Sequence, residues 1–243
     1  MPPDAPGYYL IAQLEGQDVA AIGMPDDAST AAWNTYVAVD DADSVADAVV
    51  RAGGRVTSPP QDAGPGGRGA SLVDPNRAPF RVWQPRRRLG AQAVNLPGAW
   101  NFSDLHTSDP AGAKEFYGGV FGWEADELDF GDGQSVTMWR RPGYGDHLAA
   151  TVDPDIYSRQ EGISAPPGFA DAIAWLAPLA GDEVPHWHVT FAVADRDEIA
   201  ASALSLGARD LTGPIDTAWT KSAVLQDPQG AAFTLSQFDP QMS

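Results

Sequence analysis

Two stretches of the chain alternate between hydrophobic and polar positions, and a helical pattern follows each of them. Residues 33–39 read WNTYVAV and residues 187–193 read WHVTFAV. Alternation at every second position predicts a β-strand with one buried face. Hydrophobic positions three and four residues apart then predict one face of a helix. They are Val45, Val49 and Ala52 after the first strand, and Ile199, Ala203 and Leu206 after the second.

The two stretches are copies of one repeating unit. Residues 32–56 align with residues 186–210 at a constant offset, so that Trp33 matches Trp187. Both copies continue into an Asp-Pro turn and a last strand, which reads PFRVWQP in the first copy and AFTLSQF in the second. A register shared over this length indicates an internal repeat. Each copy is therefore predicted to be a β-α-β-β-β unit.

A third unit starts between the two copies. Residues 100–128 read WNFSDLHTSDPAGAKEFYGGVFGWEADEL. Asp109 is expected to be the N-cap of a helix, with Pro110 at its first position and Gly122 at its end. The stretches QSVTMWRR and HLAATVD are expected to supply further strands of this unit. At the start of the chain, a hairpin predicted at Glu15–Gly16 looks like the end of another unit.

These units resemble the vicinal oxygen chelate superfamily, which includes glyoxalases, bleomycin-resistance proteins and extradiol dioxygenases. The paired units, the pattern DP…AKEFYGGVFGW and the terminal Asp-Pro hairpin carry the resemblance. It covers nearly the whole chain and is closest to the tandem two-domain, glyoxalase-like branch. It implies an α+β fold in which tandem paired β-α-β-β-β modules form cup-shaped mixed sheets, with a ligand or metal inside the cup.

The repeats divide the chain into two expected domains. An incomplete N-terminal glyoxalase-like domain is expected at residues 1–88, a linker at 89–98 and a complete C-terminal domain at 99–243. Alignment of DVAAIG with HLAATV leaves the first module N-terminally incomplete, without a counterpart of strand 100–106 and helix 110–121. Such a module would expose a sheet edge and apolar surface. We therefore expect a rearranged segment or a partner chain, as in a homo-oligomer, to cover the N-terminal cup.

The ligand positions that the resemblance implies for a metal are mostly replaced. In metal-using members of the superfamily, the ligands lie on the first and last strands of both units, seven residues from an Asp that marks the helix or the turn. Of these ligand positions, only the one at His188 carries a residue that can bind a metal in the usual way. The other positions carry Phe102, Asn34, Arg81 and Thr234. Transition metals need three or four ligands, so the usual site is expected to be absent and no cofactor is expected.

A different metal site remains open on the same strands. Alternate side chains of a strand share a face, so His186 and His188 are expected to point the same way. By analogy with the superfamily, Phe102, Asp104 and His106 share the equivalent face of the paired strand. Two histidines with Asp104 would resemble a two-histidine, one-carboxylate site. If a divalent metal binds, its expected ligands are His188, His186 and Asp104; otherwise these groups line a ligand cup.

Acid–base chemistry is a second interpretation of the same face. Apolar residues flank Asp104, and a carboxylate in an apolar cup has a raised pKa that suits proton transfer. His106 or His188 would act as its acid or orienting partner. The alternative is that Asp104 only caps or pairs locally. The expected catalytic residues are therefore Asp104, His106 and His188.

Aromatic residues supply the expected ligand surface. The chain contains eight tryptophans, and large flat rings commonly line sites for flat ligands. The expected ligand-binding residues are Phe102, His186, Trp100, Trp175, Trp187 and Trp219. A long connection at residues 153–184 is typical of a lid. Its stretch FADAIAWLA is expected to form a short amphipathic helix that closes over the C-terminal cup.

Composition narrows the range of partners. The formal net charge of −18 repels phosphate backbones and anionic lipids, so neither nucleic acid nor membrane is an expected partner. The absence of cysteine excludes disulfides and thiolate metal sites. No apolar run approaches the roughly 20 residues of a membrane span, and the N-terminus lacks the basic region of a secretory signal. A cytoplasmic protein is expected.

Three functions remain open. The leading one is a small-molecule-binding, glyoxalase-like protein without the usual metal site that moves a proton on an organic metabolite, as an isomerase, epimerase, lyase or cyclase does. The second is non-catalytic sequestration of a drug or metabolite between aromatic walls, similar to bleomycin-resistance proteins. The third is metal-dependent glyoxalase or dioxygenase chemistry. In each case the site is expected in residues 97–243, while residues 1–88 serve folding or oligomer contacts.

Overall fold

The elements of the chain follow one order three times. The computed structural model describes residues 9–23, 31–129, 135–161 and 165–240. A hairpin of β1 (Tyr9–Leu14) and β2 (Gln17–Gly23) comes first. The first repeat contains β3 (Tyr36–Ala38), α1 (Ala42–Arg51), β4 (Arg55–Asp62), β5 (Gly67–Val73) and β6 (Pro79–Pro85).

The second and third repeats have the same succession of elements. The second contains β7 (Trp100–Thr107), α2 (Pro110–Phe121), β8 (Glu124–Asp129), β9 (Ser135–Arg140) and β10 (Ala172–Pro178), with α3 (Tyr144–Ala150) and α4 (Ile156–Gln160) before β10. The third contains β11 (His186–Ala192), α5 (Arg196–Ser205), β12 (Arg209–Asp216), β13 (Thr220–Gln226) and β14 (Ala232–Phe238). Within the described ranges, every helix is too short or too polar to span a bilayer.

Strand pairing is also the same in the three repeats. The last strand of each lies parallel to its first strand: β6 beside β3, β10 beside β7, and β14 beside β11. The remaining neighbours are antiparallel. The predicted α+β class with mixed sheets built from β-α-β-β-β units is therefore confirmed.

Local sequence signals fix the ends of the helices. The Asp109 carboxylate accepts a hydrogen bond of 2.9 Å from the backbone N–H of Gly112 and caps α2. Gly122 ends the same helix at a φ of 69°, in the left-handed region that glycine adopts most readily. The predicted hairpin turn at Glu15–Gly16 is present, with both residues at positive φ. These predictions are confirmed.

Two predicted elements were wrong. The stretch HLAATVD was expected to be a strand, but His147 lies in α3. The stretch FADAIAWLA was expected to be a helical lid, but it forms a 3₁₀ turn at Phe169–Asp171 followed by β10. Buried and partly exposed residues alternate along β10, which is the strand period. The alignment of DVAAIG with HLAATV was therefore wrong, since DVAAIG lies in strand β2 while HLAA lies in helix α3.

The contacts group the described chain into two compact units. One contains residues 34–90 and 102–188 and is called here the central unit; the other contains residues 1–33, 91–101 and 189–243 and is called the terminal unit. Both are discontinuous in sequence. The expected linear division at residues 1–88, 89–98 and 99–243 stays a prediction.

The core of the central unit lies where α1 and α2 pack with the inner faces of the strands. Val49 and Phe80 are almost completely buried there, together with Tyr117. The Phe80 and Phe116 rings meet edge to face with their centroids 6.2 Å apart. Burial of such side chains contributes roughly 1.5–3 kcal/mol each. This core forms a continuous backing beneath the strands that carry the candidate site.

The terminal unit has a smaller core of its own. Val193, Leu225 and Leu235 are buried beneath α5. The Arg196 side chain is only 4% exposed. Its guanidinium donates to Asp216 at 2.9 Å and to the Ser222 carbonyl at 2.7 Å. A buried cation therefore joins the start of α5 to strands β12 and β13.

Candidate functional site

The candidate site lies on one face of β7 and β10 in the central unit. These strands run parallel, with Asp104 opposite Trp175. Phe102, Asp104 and His106 alternate along β7 with residues that are buried, such as Leu105 in the core. Alternation places Phe102, Asp104 and His106 on the face away from that core.

Three aromatic side chains form a cluster beside Asp104. The ring centroids of Phe102 and Trp175 are 6.0 Å apart, and Phe169 lies 6.5 Å from Phe102 and 6.1 Å from Trp175. All three rings are tilted relative to one another, and all three residues are only partly buried. Their remaining exposed surface is therefore available to an apolar, flat ligand.

Asp104 has an unsatisfied carboxylate oxygen. Its Oδ1 atom is out of contact with solvent and has no hydrogen-bond partner among the described residues. Burial raises the pKa of Asp104 to about 7, although the backbone N–H of Trp175 donates to the carboxylate and acts in the opposite direction. Such a group costs folding free energy. A buried polar atom without a partner is also a frequent mark of a functional site.

The rings of His106, His186 and His188 lie together, and His106 follows Asp104 by two positions on β7. The centroid of His106 is 4.6 Å from that of His186 and 5.7 Å from that of His188, and the last two are 6.0 Å apart. Burial, together with the nearby His106 and His186 rings, lowers the pKa of His188 to about 4. Burial and the neighbouring His186 also lower the pKa of His106. These shifts favour the neutral form of both rings.

A carboxylate joins this histidine cluster. The Glu183 Oε2 atom lies 3.3 Å from Nδ1 of His106 and accepts a hydrogen bond of 3.1 Å from the backbone N–H of Ala180. Burial acts to raise the pKa of Glu183, but the Ala180 N–H and the His106 ring outweigh it, so this pKa lies below its ordinary value. Donor atoms of His106, Glu183 and His186 all lie within 4.8 Å of one another.

The structure brings together most of the residues expected from the sequence. Phe102 and Trp175 lie in the aromatic cluster, and His106, His186 and His188 lie in the histidine cluster. Asp104 is placed on the same face of β7 as Phe102 and His106. The roles of these residues in binding or catalysis stay predictions.

One of the other expected tryptophans points into the core. Trp187 belongs to the core, with its side chain only 6% exposed, and its indole N–H donates a hydrogen bond of 2.9 Å to the Tyr117 hydroxyl. The reason is the strand period, since Trp187 lies between His186 and His188 and faces the opposite way. Trp100 and Trp219 belong to the terminal unit, and their expected contribution to ligand binding stays a prediction.

Sequence reasoning missed two members of the site. Phe169 was assigned to a lid helix, and Glu183 was not considered. Both lie in the connection at residues 153–184. The corresponding connection in the N-terminal half of the chain is much shorter, so comparison of the repeats gives no information about these two residues. A signal was present for Glu183, because a carboxylate three residues before His186 is a ligand type that commonly accompanies histidine.

The residues at the superfamily ligand positions do not fit a metal ion, whereas a second group of side chains does. The positions that the resemblance implies offer His188 with an apolar Phe102, and the acidic position is occupied by Thr234 or Arg81. This set cannot complete a coordination sphere. His106, Glu183 and His186 instead provide two imidazoles and one carboxylate within a small volume, which is a donor set suited to first-row transition metals.

Comparison with known proteins agrees with this architecture. The model of a glyoxalase-like domain matches residues 100–236. The chain belongs to the glyoxalase-like family. It is 36% identical over 246 residues to "Putative glyoxylase CFP32" of Mycobacterium tuberculosis, covering 98% of this chain and 84% of that protein. It is also 31% identical over 213 residues to "Anthracycline biosynthesis protein DnrV" of Streptomyces peucetius, covering 88% of this chain and 66% of that protein.

Solved structures share the fold. The Mn(II)-bound glyoxalase from Novosphingobium aromaticivorans is similar with a TM-score of 0.50 at 18% identity, over 83% of this glyoxalase-like chain and 61% of that one. The 2,3-dioxygenase LapB from Pseudomonas sp. KL28 is similar with a TM-score of 0.51 at 12% identity, over 88% of this chain and 77% of that one. The match to the glyoxalase-like domain model confirms the predicted membership of the vicinal oxygen chelate superfamily.

Proposed function

We propose that the protein binds a flat organic molecule against the cluster of Phe102, Phe169 and Trp175 and moves a proton on it. Asp104 is the base in this proposal. The observation that carries it is the Oδ1 atom of Asp104, which is excluded from solvent and has no partner in the described part of the chain. A ligand seated on the aromatic rings would supply the missing contact.

The position of Asp104 suits proton abstraction. A carboxylate removed from water binds a proton more readily than one in solution. It would take a proton from a carbon that a carbonyl group activates, either directly or through a conjugated ring, leaving an enolate and a protonated Asp104. Return of the same proton to another carbon or to the other face completes an isomerisation or an epimerisation, with no external reactant. Such positioned bases contribute typically 10²–10⁴-fold to a rate.

The histidines would orient the substrate rather than act as cationic acids. Burial lowers the pKa of both His188 and His106 and so favours their neutral forms. A neutral imidazole still donates one N–H hydrogen bond and accepts another. Either ring could therefore hold the carbonyl oxygen of the substrate while Asp104 removes the proton that this carbonyl group activates.

The aromatic cluster indicates the class of substrate. Three partly exposed rings favour a ligand with its own flat, fused-ring surface. The similar protein DnrV is named for anthracycline biosynthesis, and anthracyclines are fused-ring aromatic compounds that carry carbonyl groups. We therefore place an aromatic, enolisable ketone first among substrate classes.

Anthrone provides a direct test, because it is a flat three-ring ketone whose C10 protons are activated by the C9 carbonyl group through the conjugated rings. Wild-type protein in D₂O with a chelator should accelerate deuterium uptake at C10, measured by NMR. Asp104→Asn should reduce this acceleration at least about 100-fold while Trp fluorescence titration shows anthrone affinity within about threefold of wild type. Asp47→Asn, at an exposed position of α1, serves as the matched control and should exchange as fast as wild type.

Two outcomes would contradict the proposal. Exchange by Asp104→Asn at the wild-type rate would remove Asp104 from the chemistry. Tight binding of anthrone without any acceleration by the wild type would favour the second function, sequestration between aromatic walls, which the cluster of Phe102, Phe169 and Trp175 alone would support.

A further inference from the structure

We propose that His106, Glu183 and His186 form a binding site for one divalent first-row transition-metal ion. The two imidazoles and the carboxylate converge from β7, from the loop before β11 and from the first residue of β11. This site uses residues other than the ligand positions implied by the resemblance to the superfamily.

The distances permit one ion to bridge the three side chains. The donor atoms lie within 4.8 Å of one another. Two donors that are each about 2.1 Å from one ion are at most about 4.2 Å apart. Any separation above this limit must therefore shorten through rotation about side-chain bonds before the three donors share one ion.

Contacts around the donors already orient two of them. Nδ1 of His186 lies 2.9 Å from the Val184 carbonyl oxygen. Because a carbonyl only accepts, Nδ1 carries the ring proton and the lone pair is on Nε2. The Ala180 backbone N–H holds the Glu183 carboxylate at 3.1 Å. Metal-binding histidines and carboxylates characteristically have such outer contacts.

The type of donor selects the class of metal. Imidazole nitrogen favours Zn²⁺, Fe²⁺, Co²⁺ or Ni²⁺, whereas Mg²⁺ and Ca²⁺ prefer sites built from oxygen alone. The strongly acidic chain, with a formal charge of −18, also attracts cations. Three protein ligands leave coordination positions open for another molecule, and the site lies next to the face that carries Asp104.

Metal binding to the full chain tests the proposal directly. Isothermal titration and the visible absorption of Co²⁺ should report one ion per chain. His106→Ala, Glu183→Gln and His186→Ala should each weaken Co²⁺ affinity at least about tenfold, since even loss of an outer contact has that effect in metal sites. Glu183→Gln keeps the shape of an exposed side chain, and circular dichroism without metal verifies the fold of each variant.

The other two histidines of the chain serve as controls. His147 is exposed on α3, so His147→Ala should leave the Co²⁺ affinity unchanged. His188→Ala distinguishes this site from the position implied by the superfamily and should change the affinity far less than His186→Ala. Loss of binding in His188→Ala with retention in His106→Ala would overturn the proposal, as would the absence of saturable binding by wild type.

The outcome is independent of the proposed proton transfer. The titration contains no organic substrate, and the anthrone exchange test contains a chelator. A protein that exchanges anthrone but binds no Co²⁺ would refute the metal site alone. A protein that binds Co²⁺ at these three residues but exchanges nothing would refute the proton transfer alone.

Discussion

The indole N–H of Trp187 donates to the hydroxyl of Tyr117, which in turn donates to the Asp74 carboxylate at 3.2 Å. Asp74 is buried and also accepts a hydrogen bond of 2.8 Å from the backbone N–H of Ala78. This chain of contacts lies within the core of the central unit. Because Trp187 sits between His186 and His188 in β11, its fixed orientation also fixes the direction in which both histidines point.

Replacing Tyr117 by Phe should therefore destabilise the protein. The change leaves the buried Trp187 N–H without the Tyr117 hydroxyl and removes one hydrogen bond from Asp74. Loss of a buried partner costs about 1–3 kcal/mol. Urea unfolding followed by tryptophan fluorescence would measure the loss. Tyr157→Phe is the matched control, because the Tyr157 hydroxyl bonds to Asp146 at an exposed position. Equal stability of Tyr117→Phe and wild type would contradict the prediction.

Asp104 should make the stability depend on pH in a chelating buffer. Its pKa is raised by burial from 3.8 to about 7, so the folded state disfavours the charged form. The free energy of unfolding is therefore highest below the unfolded pKa of Asp104, where the carboxyl group is protonated in both states. It decreases as the pH rises towards about 7, because the unfolded state releases the proton first. Relative to Asp104→Asn, wild type should lose up to about 1.4 kcal/mol per pH unit between about pH 5 and about pH 7.

Urea unfolding at a series of pH values would measure that difference, and it should become constant above about pH 8. At neutral pH, Asp104→Asn is then more stable than wild type while being inactive in proton transfer. A difference that does not vary with pH would show that Asp104 does not titrate in this range. Asp47→Asn should give no pH-dependent difference.

The aromatic cluster should determine affinity for a flat ligand. Trp175→Ala removes a ring that lies 6.0 Å from Phe102, and it should weaken anthrone binding about tenfold, equivalent to roughly 1.4 kcal/mol. The quenching of tryptophan fluorescence by anthrone would measure affinity. Arg81→Ala is the control, because Arg81 stacks near Tyr36 and should leave the affinity intact. A loss in Arg81→Ala with none in Trp175→Ala would place the ligand elsewhere.

Arg196 should be a main determinant of stability in the terminal unit. Arg196→Met removes charge-assisted hydrogen bonds to Asp216 and to the Ser222 carbonyl, at a cost of about 2 kcal/mol. Thermal unfolding would measure the loss. Lys221→Met is the comparison, since the Lys221–Asp239 pair is more exposed and should contribute little. A smaller effect for Arg196→Met than for Lys221→Met would contradict this assignment.

Local signals in the sequence were sufficient to predict the internal repeat and the positions at which the helices begin and end. Asp109 and Gly122 act through contacts with residues a few positions away, so their effect can be read without the fold. The register of the repeat likewise depends only on comparison within the chain. The stretch that became β10 was misread because short runs rich in Ala and Leu fit a helix as well as a buried strand.

The membership of the candidate site depended on contacts between distant residues. Glu183 meets His106 across 77 positions of sequence, and no local pattern reports such a contact. Trp187 was misjudged for a different reason, since a tryptophan beside two histidines has the composition of a binding site. The alternation of β11 turns its ring into the core, and the decisive partner is Tyr117, 70 positions away.

Hydrogen bonds join the two ends of the segment between β9 and β10. The Asp171 carboxylate accepts hydrogen bonds from the backbone N–H groups of Gly143, at 3.2 Å, and Gly145, at 2.8 Å. Asp171 lies immediately before β10 and ties its start to Gly145. The segment between Gly145 and Asp171 can therefore be lengthened, shortened or exchanged while Trp175 stays opposite Asp104. That segment carries Phe169 of the aromatic cluster. Natural variation in it would then reshape the ligand surface while Asp104 and Trp175 keep their places, so the same chemistry can be offered to molecules of different size.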